Sequence, residues 1–227
     1  MARLPGVMLW AWERPEDLTF IDTREVGVAF LARTLYLRNE KVVARPRLQP
    51  LSVAPATTLV AVVRIESDRA APPPLSAEQR RRAVAAIAEV ALDQRVAAVQ
   101  IDFDARQSER AFYRDLLLDL HAELPAQVML SITALASWCI YDDWLSGLPI
   151  DEAVPMLFRM GADHTRITRY LKAGGGFGPA ACRHSLGIST DELLPALPTG
   201  RRVYIFNPRP WSQESVSEAI RKVRQSQ

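Results

Sequence analysis

The stretch Val99-Gln100-Ile101-Asp102-Phe103-Asp104 sets two carboxylates one residue apart on an otherwise apolar run. Read as a strand, its side chains alternate. Gln100, Asp102 and Asp104 then point one way, and Val99, Ile101 and Phe103 the other. The apolar side must pack against helices. The acidic side must meet water, a partner charge or a ligand, because an unpaired buried carboxylate is costly. Two acids at the end of a central strand serve glycoside hydrolysis, metal binding and phosphoryl transfer alike. Two strand rises put their Cα atoms about 6.6 Å apart, and their mutual repulsion should raise one pKa. Asp104 is the candidate acid or water-orienting carboxylate. Asp102 tunes it, or pairs structurally with Arg64 or Arg159. A glycosidase needs a second carboxylate about 5–9.5 Å away. Glu13, Glu66 or Glu192 would supply it, and Glu66 joins Asp104 and Asp102 in the candidate catalytic set. Asp102-Phe103-Asp104 also reads as the D-x-D of a metal-dependent phosphotransferase. That chemistry wants the motif on an early strand, with a Thr or Val two residues later and a Lys downstream. Arg106 and the mid-chain position argue against it.

The elements that must position these acids follow from the apolar runs. Strands are expected at Val7–Trp12, Val26–Ala32, Thr58–Glu66, Val96–Asp104, Val128–Ala134, Ala153–Phe158, Ser185–Ser189 and Arg202–Phe206. Most are nearly continuous in apolar residues, as strands covered on both faces are. Ser76-Ala77-Glu78-Gln79 is a capping box opening a helix to about Asp93. Ser108 can cap a helix carrying Phe112, Leu116, Leu120 and Leu124, stopped by Pro125. Asp163 can cap a third, with Ile167, Tyr170 and Leu171 inward and Gly174 past its end. Ser212 can cap the last, with Val216, Ile220 and Val223 as its buried stripe. Shorter helical pieces fit Pro15–Ile21, Tyr141–Leu148 and Asp191–Leu197. Leu35–Arg38, Asn39-Glu40 and Lys41–Val43 read as a β-hairpin inserted after the second strand.

Eight strands with intervening helices is the arithmetic of a (β/α)8 TIM barrel, an α/β fold of about 250 residues. The chain has 227 residues and no Pro/Ser linker, so residues 1–227 read as one domain. The alternative is a doubly wound open sheet, but no Gly-rich turn follows the first strand.

In a barrel the site lies at the C-terminal strand ends. The polar and aromatic residues expected there include Trp10, Trp12 and Glu13, Arg64 and Glu66, Thr133 and Trp138, Arg159, and Asn207, Arg209 and Trp211. Aromatic faces stack on pyranose C–H groups while acids and Arg bind hydroxyls, so this mix suits a sugar cleft. Trp10, Trp12, Glu13, Arg64, Trp138, Arg159, Asn207 and Trp211 form the candidate substrate-binding set. Trp is equally a core residue. Asp191-Glu192 and Asp142-Asp143 read more simply as acids in a first helical turn. Gly174–Gly178 resembles a phosphate loop but sits at a helix C-terminus, where the dipole repels anions. There is no HExxH and no GxSxG.

Val99–Arg106 resembles the fourth-strand signature of chitinase-type glycoside hydrolases, D-G-I-D-I-D-W-E. Asp102 and Asp104 match two of its acids, and the final Glu, that family's general acid, falls on Arg106. Met156-Leu157-Phe158 resembles the sixth-strand M-x-Y, with Phe for Tyr. Trp12–Leu18, Leu130–Trp138, Asp151–Gly161 and Phe206–Trp211 resemble a bacterial family of unknown function grouped with glycoside-hydrolase-like TIM barrels. The resemblance implies a barrel that binds a carbohydrate and hydrolyses it, or a sugar-binding barrel that has lost its general acid.

Composition narrows the partners. Net charge is +2, too small to argue for nucleic acid or a membrane surface. No apolar run nears the roughly 20 residues of a membrane span. No ligand spacing beyond D-x-D suggests a metal, and no cofactor is expected. The two cysteines, Cys139 and Cys182, form no CxxC; a single bridge between them is the alternative, and two free thiols are the expectation. Met1–Gly6 has no long apolar core. The expectation is a cytoplasmic monomer, or an extracytoplasmic one if a leader segment was removed.

Overall fold

The computed structural model describes residues 4–93, 95–192 and 197–226. Its strands in chain order are β1 (Val7–Ala11), β2 (Glu16–Leu18), β3 (Val26–Arg38), β4 (Lys41–Pro46), β5 (Leu51–Val53), β6 (Leu59–Ser67), β7 (Val96–Asp102), β8 (Met129–Leu135), β9 (Glu152–Met156), β10 (Ser185–Ser189) and β11 (Arg202–Phe206). β1, β3, β6, β7, β8, β9, β10 and β11 pair in that order, each parallel to the next, and β11 pairs back to β1. The sheet is closed, so the open doubly wound alternative does not hold. Among the described residues the α-helices are α1 (Ala77–Ala88), α2 (Arg110–Glu123), α3 (Ala136–Ile140), α4 (His164–Lys172) and α5 (Gln213–Ser226).

Alternation along each strand separates two cores. Leu9, Val28, Ala61, Val63, Val99, Ile101, Ile132 and Ile205 face outward and pack against the helices. Met8, Trp10, Ala29, Val60, Val62, Ala98, Val154 and Tyr204 fill the barrel's inside. The next inward position up each strand then reaches the C-terminal mouth. That rule delivers Trp12, Arg64, Asp102, Thr133, Met156 and Phe206 to one place.

The first two connections of the barrel depart from β/α alternation. Pro15–Ile21 is not helical. Glu16–Leu18 is a strand, paired in parallel with Leu51–Val53. Glu16 is buried there, accepts from Arg14 Nε at 2.5 Å and from the Trp211 amide at 2.9 Å, and so is held by tertiary contacts that a helix would break. β3 runs on past the barrel to Arg38 and turns at Asn39-Glu40 into antiparallel β4. Asn39 takes φ +45°, the left-handed conformation such turns need. The hairpin is thus a continuation of the second barrel strand. α1 leans on it: the Gln79 side-chain amide donates to the carbonyls of Asn39 and Lys41.

Other local expectations shift for identifiable reasons. Ser76 Oγ caps α1 as expected, accepting from the Gln79 amide. α2 is preceded by a 3-10 turn, Gln107–Glu109, in which Glu109 accepts from the Arg106 amide at 2.7 Å, so Ser108 is not the cap. Tyr141–Leu148 is a run of turns, because the Asp142 carboxylate captures the Trp144 amide and pairs with Arg110 at 2.7 Å. The helical piece expected at Asp191–Leu197 falls mostly on residues 193–196, outside the described ones. Cys139 and Cys182 are bonded to each other, so the expectation of two free thiols is corrected. Spacing could not show this: 43 residues separate them in sequence, and only the packing of α3 against the turn Ala180–Arg183 brings them together.

Candidate functional site

β7 ends at Asp102, and the chain then tightens, the Ala105 amide donating to the Phe103 carbonyl at 2.8 Å. Strand alternation therefore stops between the two acids. Asp102 remains an inward strand residue, buried at the barrel mouth, whereas Asp104 stands exposed on the rim. Both line one cleft of about 300 Å³ at the C-terminal mouth, together with Trp10, Trp12, Arg64, Phe158, Arg159 and Asp163.

Asp102 is held on both oxygens. Thr133 Oγ1 donates to Oδ1 at 2.7 Å, and Arg64 Nη1 reaches Oδ2 at 3.5 Å. Burial raises the Asp102 carboxyl above its ordinary range, and the neighbouring Asp104 and Glu66 charges add to this. The Thr133 hydrogen bond and Arg64 pull the other way without prevailing. Partial desolvation likewise raises Asp104, opposed by Arg64. Burial is the largest single effect on Arg64 and disfavours its charge, yet Asp102, Glu66 and Asp104 together raise its pKa, so it stays a cation. The pair is thus asymmetric: the cation is secured and the buried acid is not.

The floor of the cleft is aromatic. The rings of Phe158 and Phe206 stack at 5.8 Å, Trp10 lies 6.1 Å from Phe158, and Trp12 meets Phe206 edge-on at 6.3 Å. The Arg159 guanidinium sits 5.0 Å from the Phe206 ring centroid and pairs with Asp191 at 3.2 Å. Arg159 takes φ +51° and Gly161 φ +55°. These two left-handed residues bend the chain after β9, and the short turn Gly161–Asp163 then sets Asp163 into the cleft wall.

Trp10 is fixed from below by a buried polar chain. Its Nε1 donates to Gln100 Oε1 at 2.9 Å, and Gln100 Nε2 donates to Ser131 Oγ at 3.1 Å. Ser131 Oγ and the Tyr204 hydroxyl both donate to Glu152, whose other oxygen pairs with Arg202. A buried network of this kind is worth having only when satisfied, and here each member has a partner.

Of the residues expected from sequence, Asp102, Asp104, Trp10, Trp12, Arg64 and Arg159 line the cleft. Glu66 does not line it; its carboxylate accepts from Arg64 Nε at 2.7 Å. Glu13 accepts the Leu48 and Gln49 amides and fastens a loop. Trp211 is buried, its indole donating to the Trp10 carbonyl at 3.0 Å, and Asn207 accepts from Thr190 at 2.6 Å. Trp138 is buried behind the cleft, 5.0 Å from Trp144 with Arg110 over both rings. These four brace the strand ends. Glu192 accepts the Arg159 amide at 2.9 Å. Asp163 reads as a helix cap in the sequence but makes no capping bond. Its only signal there was closeness to the sixth-strand motif.

Residues 56–155 match a family described as Domain of unknown function (DUF3142). No curated protein matches the chain. Among solved structures, a protein assigned as chitinase A in Streptomyces coelicolor superposes with a TM-score of 0.59 at 10% identity, covering 98% of this chain and 96% of its own. A chitinase from Rhizomucor miehei superposes with a TM-score of 0.50 at 10% identity, covering 81% of this chain and 68% of its own. At such identity the likeness concerns the fold. The chain is thus similar to the DUF3142 family over residues 56–155, and it shares its closed parallel barrel with chitinases.

Proposed function

We propose that the barrel binds a glycan at its C-terminal mouth and that Asp104 is the group through which it hydrolyses one. The observation that carries this is the joining, in one 300 Å³ cleft, of an aromatic floor with the carboxylates of Asp102 and Asp104. That volume lies at the small end of ligand pockets, which suits a few sugar units at most. The Trp12, Phe158 and Phe206 rings offer faces to pyranose C–H groups, while Arg64, Thr133 and Ser137 offer polar partners. Desolvation favours the protonated form of Asp104 more than in water, as a general acid requires. The proton would pass from Asp104 to the glycosidic oxygen as the C–O bond breaks, and a water would then add to the anomeric carbon and return a proton to the Asp104 carboxylate.

Binding without hydrolysis is the second reading. It is favoured by Arg106, which stands where the chitinase-type signature carries its Glu, and by the attachment of Glu66 to Arg64. The Cys139–Cys182 bridge supports work in an oxidising compartment, where disulfides persist, in place of the cytoplasmic expectation. The experiment is a tryptophan-fluorescence titration against a panel of oligosaccharides, with reducing ends assayed in parallel. Asp104→Asn should abolish hydrolysis and leave binding within about tenfold, or 1.4 kcal/mol. Trp12→Ala should weaken binding first. Hydrolysis surviving in the Asn variant would remove Asp104 from its role. No response across the panel would sink the carbohydrate reading.

A further inference from the structure

We propose that the ligand of this cleft is a glycan bearing free amino groups, a de-N-acetylated hexosamine chain, whose ammonium pairs with Asp104 and Asp163. The inference rests on the glycan-binding part of the reading above, the one without hydrolysis, and deepens it, because Asp104 pairs here as a carboxylate and not as a proton donor.

The argument is one of charge. Five charged side chains line the cleft: Arg64, Arg159, Asp102, Asp104 and Asp163. Arg64 is shared between Asp102 and Glu66. Arg159 is held by Asp191, with Glu192 on its amide. No hydrogen bond or ion pair engages the carboxylate of Asp104 or of Asp163 among the described residues, although the Arg64 charge reaches Asp104 at longer range. Counted with their partners, the cleft's groups sum to an excess of negative charge. The chain as a whole carries +2, so this acidity is local and does not follow from composition.

Such a site treats ligands unequally. A neutral sugar laid over Asp104 and Asp163 strips water from two carboxylates and returns hydroxyl hydrogen bonds but no counter-charge. An anionic sugar is repelled. A protonated amino sugar restores the lost hydration with charge-assisted hydrogen bonds, which are about twice as strong as neutral ones. The aromatic floor contributes stacking on ring C–H groups and not cation binding, because Arg64 already lies over Trp12 and Arg159 over Phe206.

The test is calorimetric titration of the intact chain with three oligomers of equal length: N-acetylated β-1,4-glucosamine, its de-N-acetylated counterpart and a cello-oligomer. Spermine serves as a control for charge alone. The de-N-acetylated oligomer should bind at least about tenfold more tightly than either neutral one, and the advantage should shrink as salt rises. Asp163→Asn and Asp104→Asn should each reduce it several-fold. Neither carboxylate holds a neighbour, so both variants should keep the wild-type fold by circular dichroism; if one does not, the comparison of oligomers and the salt series still decide. Neutral oligomers binding equally or better would overturn the proposal and leave the carbohydrate reading standing. Spermine binding as tightly as the amino-oligomer would also overturn it. Failure of every oligomer to bind would overturn both.

Discussion

At the residue scale, the most informative group is Asp102, buried beside one cation that it shares with Glu66. Its carboxyl is raised above the ordinary 3.8, chiefly by burial. The folded state therefore binds this proton more tightly than the unfolded chain does. Asp102 contributes stability that is fully present below about pH 3.8 and is lost as pH rises through its raised pKa. Asp102→Asn keeps an acceptor for Thr133 and removes the titration. Urea melts of both proteins should show the variant gaining on wild type as pH rises from about 3.5 to 7. A difference independent of pH would mean that Asp102 is not raised. Trp10 offers a second test. A Cβ on Gly187 would lie 2.9 Å from the indole, so glycine is what lets the ring lie inside the barrel. Gly187→Ala should cost about 1–3 kcal/mol and shift the Trp10 fluorescence; unchanged stability and emission would refute that placement.

At the element scale, the cleft is divided between strands and one tethered loop. Arg64, Asp102 and Thr133 stand on neighbouring barrel strands and need no further support. Phe158, Arg159 and Asp163 lie between β9 and α4, inside the loop closed by Cys139–Cys182. The disulfide joins α3 to the turn before β10 and so pins that wall. Cys139→Ser with Cys182→Ser should lower stability by about 2–5 kcal/mol. Hydrogen exchange should rise first in residues 157–181, with β6 and β7 still protected. Uniform loss of protection would show that the bridge serves the whole barrel instead. Local signals misled where tertiary contacts outbid them: Glu16 has helical neighbours in sequence, yet Arg14 and the Trp211 amide hold it in a short strand. The Ser76 cap, whose Oγ accepts from the nearby Gln79 amide, was legible; the other half of the expected capping box did not form, because Gln79 accepts from the Leu75 amide instead.

At the scale of the whole molecule, closure of eight parallel strands turns inward-facing alternation into a single mouth. No group of three or more His, Cys, Asp or Glu among the described residues could hold a metal ion. Incubation with EDTA should accordingly leave the melting temperature unchanged. A fall of several degrees, restored by Mg²⁺ or Mn²⁺, would favour the D-x-D phosphotransferase reading.

The sequence by itself determined the eight barrel strands, the barrel and the end of β7 as the place to look, because apolar runs and alternation are local properties of the chain. It also determined that Trp10, Trp12, Arg64, Asp102 and Arg159 belong at strand ends or just past them, for the same reason. Only the tertiary structure decided which of these face the cleft. Trp138 and Trp211 are as aromatic as Trp12, but their rings turn into helix and loop packing that no spacing encodes. Asp163 carries the same letter whether it caps a helix or faces a ligand, and the two left-handed residues before it decide the matter. The partner of each cysteine and the sharing of Arg64 by two acids depend on contacts between residues distant in sequence. Pattern constrains which side of an element a residue takes; packing and charge between elements decide what it meets there.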